Sequence, residues 1–299
     1  MTPPARDGIL NLNKPPGPTS HDCVYRVRRA LLTKRVGHAG TLDPMATGVL
    51  LIGVGQGTRV LEYLQGLPKT YRAGVLFGIE TDSQDTTGRT TREADASALT
   101  RERLLEALVG FRGEIMQVPP MVSALKVQGR RLYDLAREGQ TVERQPRPVT
   151  IEAIDLLSFT PGPRARAEIR VRCSSGTYVR TLCHDVGQLL GTGAAMSSLE
   201  REAIGGFTVA TAVPLDELTA DVPLTPLAAA LGHMPSVSVE EAGAVRLRQG
   251  QFIPVSPETP DGSLRVLAPD GALVAIGTAR GHGEARLLSP EKVLAGGGS

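Results

Sequence analysis

The sequence predicts an α+β fold, and three observations carry that expectation. Strand-like and helix-like segments mix without the regular strand–helix–strand period of a doubly wound sheet. Arg164 to Cys173 alternates strictly: Ala165, Ala167, Ile169, Val171 and Cys173 fall on one face, and four Arg with Glu168 on the other. That is the pattern of a half-buried strand. From Gln251 to Leu288 the chain offers several short strand candidates, punctuated by Pro260-Asp-Gly262 and Pro269-Asp-Gly271. Such spacing suggests a small β domain.

The elements follow in chain order. Gly8 to Asn13 reads as a short strand, and Lys14-Pro-Pro-Gly-Pro18 breaks it into a rigid turn. Ser20 is expected to cap a helix whose inner face carries Val24, Val27, Ala30 and Leu31. Val36 to Gly48 is punctuated by Gly, Pro and Asp and reads as a long loop; Val49 to Val54 is a buried strand candidate. Thr58 to Leu64 suits a short helix, Tyr71 to Phe77 a strand, and the stretch through Arg92 a polar loop. Leu99 to Val109 is an expected helix, and Arg130 to Glu138 a weaker one between prolines. Thr177 to Leu190 reads as a helix with Val179, Leu182, Val186, Leu189 and Leu190 inward, closed by Gly191. The Pro-rich stretch from Pro214 to Pro235 is a plausible domain boundary.

Composition narrows the class. The chain has 299 residues, 41% hydrophobic and 21% charged, which excludes a disordered chain. That length suits about two domains. Aromatic residues make up only 3% and Trp is missing, so aliphatic side chains must fill the core. Three cysteines without a C-x-x-C pair favour a reducing compartment and disfavour a Cys-based zinc site. The start of the chain has no apolar segment of the signal-peptide kind, and Val49 to Val54 is far too short to span a bilayer. The net charge of +2 says little about partners, so clustering matters more.

Several motifs admit more than one reading. Gly37-His-Ala-Gly-Thr-Leu-Asp-Pro-Met-Ala-Thr-Gly48 is the strongest local signal. Its glycines permit tight turns and close ligand approach. Asp43 precedes Pro44, so its backbone is extended or in a turn and can present the carboxylate outward. A turn or cap role is the ordinary reading of such an Asp, as a loop or core imidazole is of His38. Arg180 opens a helix; it is a surface Arg by default, or a fork holding a carboxylate. Tyr71 is by default a strand-edge aromatic. Lys126 to Arg147 carries Lys126, Arg130, Arg131, Arg137, Arg144 and Arg147 against three acidic residues. It suits a solvated face or a mobile arm tracking phosphates equally well. Gly53-Val-Gly-Gln-Gly57 is no dinucleotide fingerprint, no P-loop is present, and the adjacent Ser20-His21-Asp22 is not a catalytic triad.

Taken together, Leu10 to Gly17, Gly37 to Gly48, Lys69-Thr-Tyr-Arg72, Pro119 to Lys126 and Cys173 to Leu182 resemble the bacterial tRNA pseudouridine-55 synthases, the TruB family, over roughly residues 8–210. Weaker cues, Leu247 to Gln251 and Gly271 to Gly277, resemble that family's small C-terminal RNA-binding domain of the PUA type. The resemblance implies a catalytic domain over 1–234, built on a mixed, largely antiparallel sheet with an inserted arm at about 120–150. It further implies a β-rich PUA-like domain over 235–295; the composition of Gly296 to Ser299 reads as a flexible tail. The implied reaction isomerises uridine 55 of the tRNA T loop to pseudouridine after base flipping, with no metal or cofactor.

By the same resemblance Asp43 is the catalytic carboxylate, Arg180 its cationic partner, and Tyr71 the residue whose ring stacks on the target base and can assist proton removal from C5. Tyr178 and Leu199 match other pocket residues, and His38 matches a residue that fills the space left by flipped nucleotides. Lys14 matches a motif lysine near the site without an assigned role. Lys126, Arg130 and Arg131 fall in the arm expected to close over RNA and to be mobile without it. The expected partner is the tRNA T arm, with no guide RNA and no membrane, and the expected state is a cytoplasmic monomer. Two competing classes are an RNA-binding or RNA-folding factor with vestigial chemistry and an Asp-dependent glycosidase. Asp43, Tyr71 and Arg180 argue against the first. The second needs another carboxylate across the bond, and none stands out near Asp43.

Overall fold

The computed structural model describes residues 6–121, 126–127, 130–131, 142–281 and 283–294. In chain order, strand β1 (Gly8–Lys14) leads into helix α1 (Ser20–Ala30), then β2 (Val36–Ala39) and β3 (Thr47–Val54). A 3-10 turn (Gly55–Arg59) and helix α2 (Leu61–Gln65) precede β4 (Lys69–Phe77). A small hairpin, β5 (Ile79–Thr81) and β6 (Thr90–Glu93), is followed by α3 (Arg101–Val109) and β7 (Gly113–Gln117). Next come the paired two-residue strands β8 (Lys126–Val127) and β9 (Arg130–Arg131), then β10 (Arg147–Thr160), β11 (Arg166–Cys173), α4 (Val179–Leu189) and β12 (Ala194–Ile204). Strands β13 (Phe207–Thr208) and β14 (Val213–Pro214) and helix α5 (Leu227–Ala230) complete the first part. The rest comprises β15 (Ser236–Ser238), α6 (Glu241–Arg248), β16 (Ile253–Pro254), β17 (Ser263–Leu267), β18 (Leu273–Arg280) and β19 (Leu287–Val293).

Among the described residues, ten strands form one sheet along the path β14-β1-β3-β12-β4-β11-β10-β7, with β2 on β3 and β13 on β12. Most neighbours are antiparallel; β1 with β14 and β3 with β12 are parallel. The expected mixed, largely antiparallel α+β class is therefore found. The β3–β12 junction is short: only Glu200 with Thr47 and Arg201 with Gly48 are paired. A Cβ on Gly48 would sit 2.4 Å from the Arg201 carbonyl oxygen, and the glycine has φ of +97°, so no other residue fits there unstrained. A second sheet, ordered β15-β17-β18-β19-β16, makes the β-rich C-terminal part.

Burial follows the pattern in the sequence. Val49 to Ile52 and Val54 are fully buried because β3 is covered on both faces. On β11 the alternation holds, with Ile169, Val171 and Cys173 buried and Arg166, Arg170 and Arg172 exposed. The second sheet is not isolated from the first, since Ile276 and Leu294 pack in one cluster with Ile9, Leu51 and Leu64.

Several local expectations are corrected. Thr19, not Ser20, caps α1: its hydroxyl accepts from the Asp22 backbone N–H while the Asp22 carboxylate accepts from the Thr19 N–H, a reciprocal capping box. Ser20 is instead buried under the next loop. Val36 to Ala39 is not loop but a strand paired with β3, because the edge of β3 offers a free hydrogen-bonding row. The polar loop through Arg92 contains the β5–β6 hairpin. The helix expected at Arg130 to Glu138 falls mostly outside the described residues, and Arg130–Arg131 is a strand paired with Lys126–Val127.

Candidate active site

Asp43 sits in the loop between β2 and β3, and three other elements hold that loop by its backbone. From α1, the Ser20 hydroxyl accepts from Leu42 N–H at 2.9 Å and donates to the Leu42 carbonyl at 3.2 Å. From β1, the Lys14 ammonium donates to the carbonyls of Pro15, Pro44 and Ala46 at 3.0, 3.1 and 2.7 Å. Those three bonds use every proton an ammonium has. From β12, the Arg201 guanidinium donates to Gly40, Thr41 and Val49 carbonyls at 3.2, 3.4 and 2.7 Å. Asp43 is thereby fixed at the centre of a braced loop, its side chain 36% exposed.

Arg180, on the first turn of α4, faces that carboxylate. Its Nε lies 3.2 Å from one Asp43 oxygen and its Nη2 3.5 Å from the other, a two-point approach. Its Nη1 reaches Asp85 at 3.3 Å and the Ser83 carbonyl at 3.2 Å. Asp85 lies in the turn between β5 and β6 and is almost fully buried. One of its oxygens also accepts from the Ser83 hydroxyl at 2.9 Å and from the Thr87 hydroxyl and N–H at 2.5 and 3.0 Å. Arg180 is thus buried between two carboxylates, which offsets the cost of taking its charge out of water. Burial pushes the Asp43 carboxyl above the ordinary value; the Arg180 cation opposes that, Asp85 adds to it, and Lys14 opposes it.

The cleft in front of Asp43 has a volume of about 410 Å³ and is lined by Tyr71, Tyr178, Arg180, Leu199, Arg201 and Lys69, among others. Tyr71 comes from β4, and burial raises its phenol pKa. Tyr178 is fixed just before α4 by Gln117 of β7, whose amide donates to the Tyr178 carbonyl and accepts from its N–H at 3.0 and 2.7 Å. Lys69 is buried, donates to the carbonyls of Gln65 and Leu67 at 2.5 and 2.7 Å, and has its pKa lowered by burial to about 8.

The structure therefore brings together Asp43, Tyr71, Arg180, Tyr178 and Leu199 of the expected site. Lys14 lies beneath the Asp43 loop rather than on the cleft wall, and its hydrogen bonds give it a bracing role. His38, half-buried on β2, is not among the residues lining the cleft; among the described residues its buried Nδ1 has no hydrogen-bond partner, and burial lowers its pKa. The side chains of Lys126, Arg130 and Arg131 lie outside the described residues. Sequence reasoning missed Asp85, Lys69 and Arg201. Lys69 stood inside a quoted motif, whereas Asp85 and Arg201 carried no local signal. A second carboxylate does stand near Asp43, but Asp85 is turned onto Arg180, Ser83 and Thr87 and does not line the cleft.

Comparison with known proteins identifies the family. The model described as TruB family pseudouridylate synthase, N-terminal domain, matches residues 28–179, more than half of the chain. The chain belongs to the TruB family. Models of TruB C-terminal domains match residues 180–225 and 235–294. A tRNA pseudouridine synthase B of Symbiobacterium thermophilum is 56% identical over 82% of this chain and 82% of its own. Another, of Heliobacterium modesticaldum, is 43% identical over 98% of this chain and 97% of its own. Among solved structures, an archaeal box H/ACA sRNP complex contains a chain with TM-score 0.72 and 24% identity, covering 96% of this chain and 85% of that one. That likeness shows a shared fold. Asp43 and Tyr71 fall within the segment matched by the N-terminal model, and Arg180 is the first residue matched by a C-terminal one.

Proposed function

We propose that this chain isomerises a uridine of tRNA to pseudouridine, at position 55 of the T loop. Family membership supports the reaction class, and relatives named tRNA pseudouridine synthase B support the substrate. The single observation that carries the site assignment is the Asp43–Arg180 pair at the head of a cleft walled by Tyr71.

The chemistry follows from these groups. The N1–C1′ bond of the uridine breaks, the uracil turns and a C5–C1′ bond forms; C5 then loses its proton and N1 ends protonated, so the net reaction is an isomerisation without a redox change. Asp43 acts as a carboxylate, either at C1′ or in assisting departure of the uracil. Burial alone would favour its neutral form, and Arg180 counters that with a fixed cation. A base cannot be reached inside a stack, so the nucleotide is flipped out against an aromatic or apolar wall. Tyr71, Tyr178 and Leu199 supply that wall. His38 and the basic residues Lys126, Arg130 and Arg131 are proposed to hold the surrounding RNA. The enzyme is proposed to act as a cytoplasmic monomer, without a guide RNA or a cofactor.

Incubation with unmodified tRNA, followed by pseudouridine mapping at nucleotide resolution, tests the proposal. Modification confined to the T-loop uridine is expected. Modification elsewhere, or none by a folded enzyme, would overturn it.

A further inference from the structure

Tyr178 and Arg180 are two residues apart, and both depend on how the chain enters α4: one lines the cleft, the other holds Asp43. Tyr178 occupies the N-cap of that helix with extended dihedrals, φ −99° and ψ 104°. Its carbonyl accepts the first intrahelical bond, from Leu182 N–H at 3.1 Å. Ser, Thr, Asp or Asn ordinarily supplies the oxygen that steadies such a position. Tyr carries none near its backbone, and a side chain from another strand grips it instead.

That side chain is Gln117, the last residue of β7, paired with Arg147 at the start of β10. The chain between them, 118–146, leaves and rejoins the sheet at this one pair. Gln117 is 2% exposed, and its amide accepts from Tyr178 N–H at 2.7 Å and donates to the Tyr178 carbonyl at 3.0 Å. An extended residue points both groups the same way, so the planar amide engages them as a neighbouring strand would. Two bonds on one residue fix its rotation as well as its place. The other end of the loop is held at Ser174, which exchanges two bonds of 2.9 Å with the Thr150 backbone of β10.

We infer that Gln117 is a positioning residue: by locking the peptide groups of Tyr178 it sets both the aromatic wall and the turn of α4 that aims Arg180 at Asp43. The lock belongs to the free chain; only the identity of the cleft's occupant rests on the proposed function. Three charged groups face Asp43: Arg180 of α4, Asp85 of the β5–β6 turn and Lys14 of β1. Arg180 has the largest influence of the three and favours the carboxylate. Loosening its aim therefore makes Asp43 easier to protonate.

Two measurements test the inference. The first uses the free enzyme. Gln117→Met keeps the length and removes both bonds, with thermal melts to follow the fold. The Tyr178 amide should exchange with water about tenfold faster. The Asp43 carboxyl carbon, assigned by its loss in Asp43→Asn, should titrate about half a pH unit or more higher by carbon NMR. Gln117→Asn is too short to reach Tyr178 and carries the same expectations should Gln117→Met not fold. Unchanged exchange would overturn the lock. An unmoved Asp43 midpoint, even with a lower melting temperature, would show that Gln117 only stabilises the chain and would overturn its role in aiming Arg180.

The second measurement follows the single-turnover rate at saturating tRNA against pH. Gln117→Met should slow the reaction about tenfold or more and move the acid limb upward with the Asp43 midpoint. In a double-mutant cycle with Arg180→Lys, the two losses should combine to less than their product. Losses that multiply in full would overturn the link to Arg180. A moved midpoint with no turnover in any enzyme would leave the lock intact and sink the proposed reaction instead.

Discussion

Arg180 approaches both oxygens of Asp43, at 3.2 and 3.5 Å, while its remaining nitrogen is taken by Asp85. The cation is held from behind, so it cannot swing away from the carboxylate in front. Replacing Asp43 by Asn keeps the shape and removes the charge. Asp43→Asn is expected to abolish pseudouridine formation in single-turnover assays while tRNA affinity stays within about tenfold, or ~1.4 kcal/mol. Near-normal turnover would remove Asp43 from the mechanism.

Loss of the cation should be worse for the fold than loss of the anion. Arg180→Ala leaves Asp43 and the buried Asp85 without their shared partner, and breaking a buried pair typically costs about 3–5 kcal/mol. A clear drop in melting temperature and a strong loss of turnover are expected together. Arg180→Lys should recover part of each, since an ammonium cannot span three oxygens as a planar fork does. Three enzymes of equal activity would contradict the pairing.

The acid limb of the rate profile should report Asp43. Its pKa lies above the ordinary 3.8, with burial as the main cause. Turnover needs the carboxylate, so it should fall as pH drops through that raised value. Asp85→Asn removes a neighbouring negative charge that pushes the Asp43 pKa up. The limb should then move to lower pH, although the plateau should fall because Arg180 has lost an anchor. A limb that moved upward would reverse the assigned electrostatics.

Lys69 predicts an alkaline effect. Its ammonium ionises at about 8 rather than 10.5, because burial disfavours the charge. As pH rises through that value the cleft loses a positive charge, and tRNA affinity should weaken. Lys69→Met should bind more weakly at neutral pH and lose this dependence. Binding isotherms between neutral and mildly alkaline pH decide the matter; identical slopes for both proteins would show that Lys69 does not face the RNA.

How far the sequence revealed this site depends on how local each signal is. Strand β11 was legible because its alternation is unbroken. Strands β10 and β12 were not, since bulges between Ile151 and Ala153, and at two places in β12, put neighbouring apolar residues out of phase. The cap of α1 was misplaced by one residue because Thr19 and Ser20 are adjacent hydroxyls, and only the Asp22 geometry separates them. Asp43, Tyr71 and Arg180 carried no convincing signal singly and became legible through family motifs. Asp85 lies 95 residues from Arg180 in sequence, so their meeting is a property of the fold.

The two-pair junction between β3 and β12 gives this enzyme a fault line. Lys14 and the Asp43 loop belong to one side of it, and Tyr71, Arg180 and Arg201 to the other. Fraying there separates carboxylate from guanidinium while the strands on either flank keep their partners. Heat should therefore disarm the molecule before it melts it: catalytic loss is expected at temperatures where circular dichroism still records a full complement of strands. Arg201 is the rivet across that line, joined to Gly48 by its backbone and to Gly40, Thr41 and Val49 by its side chain. Weakening that fastening, as in Arg201→Lys, is expected to lower the temperature of catalytic loss more than that of unfolding.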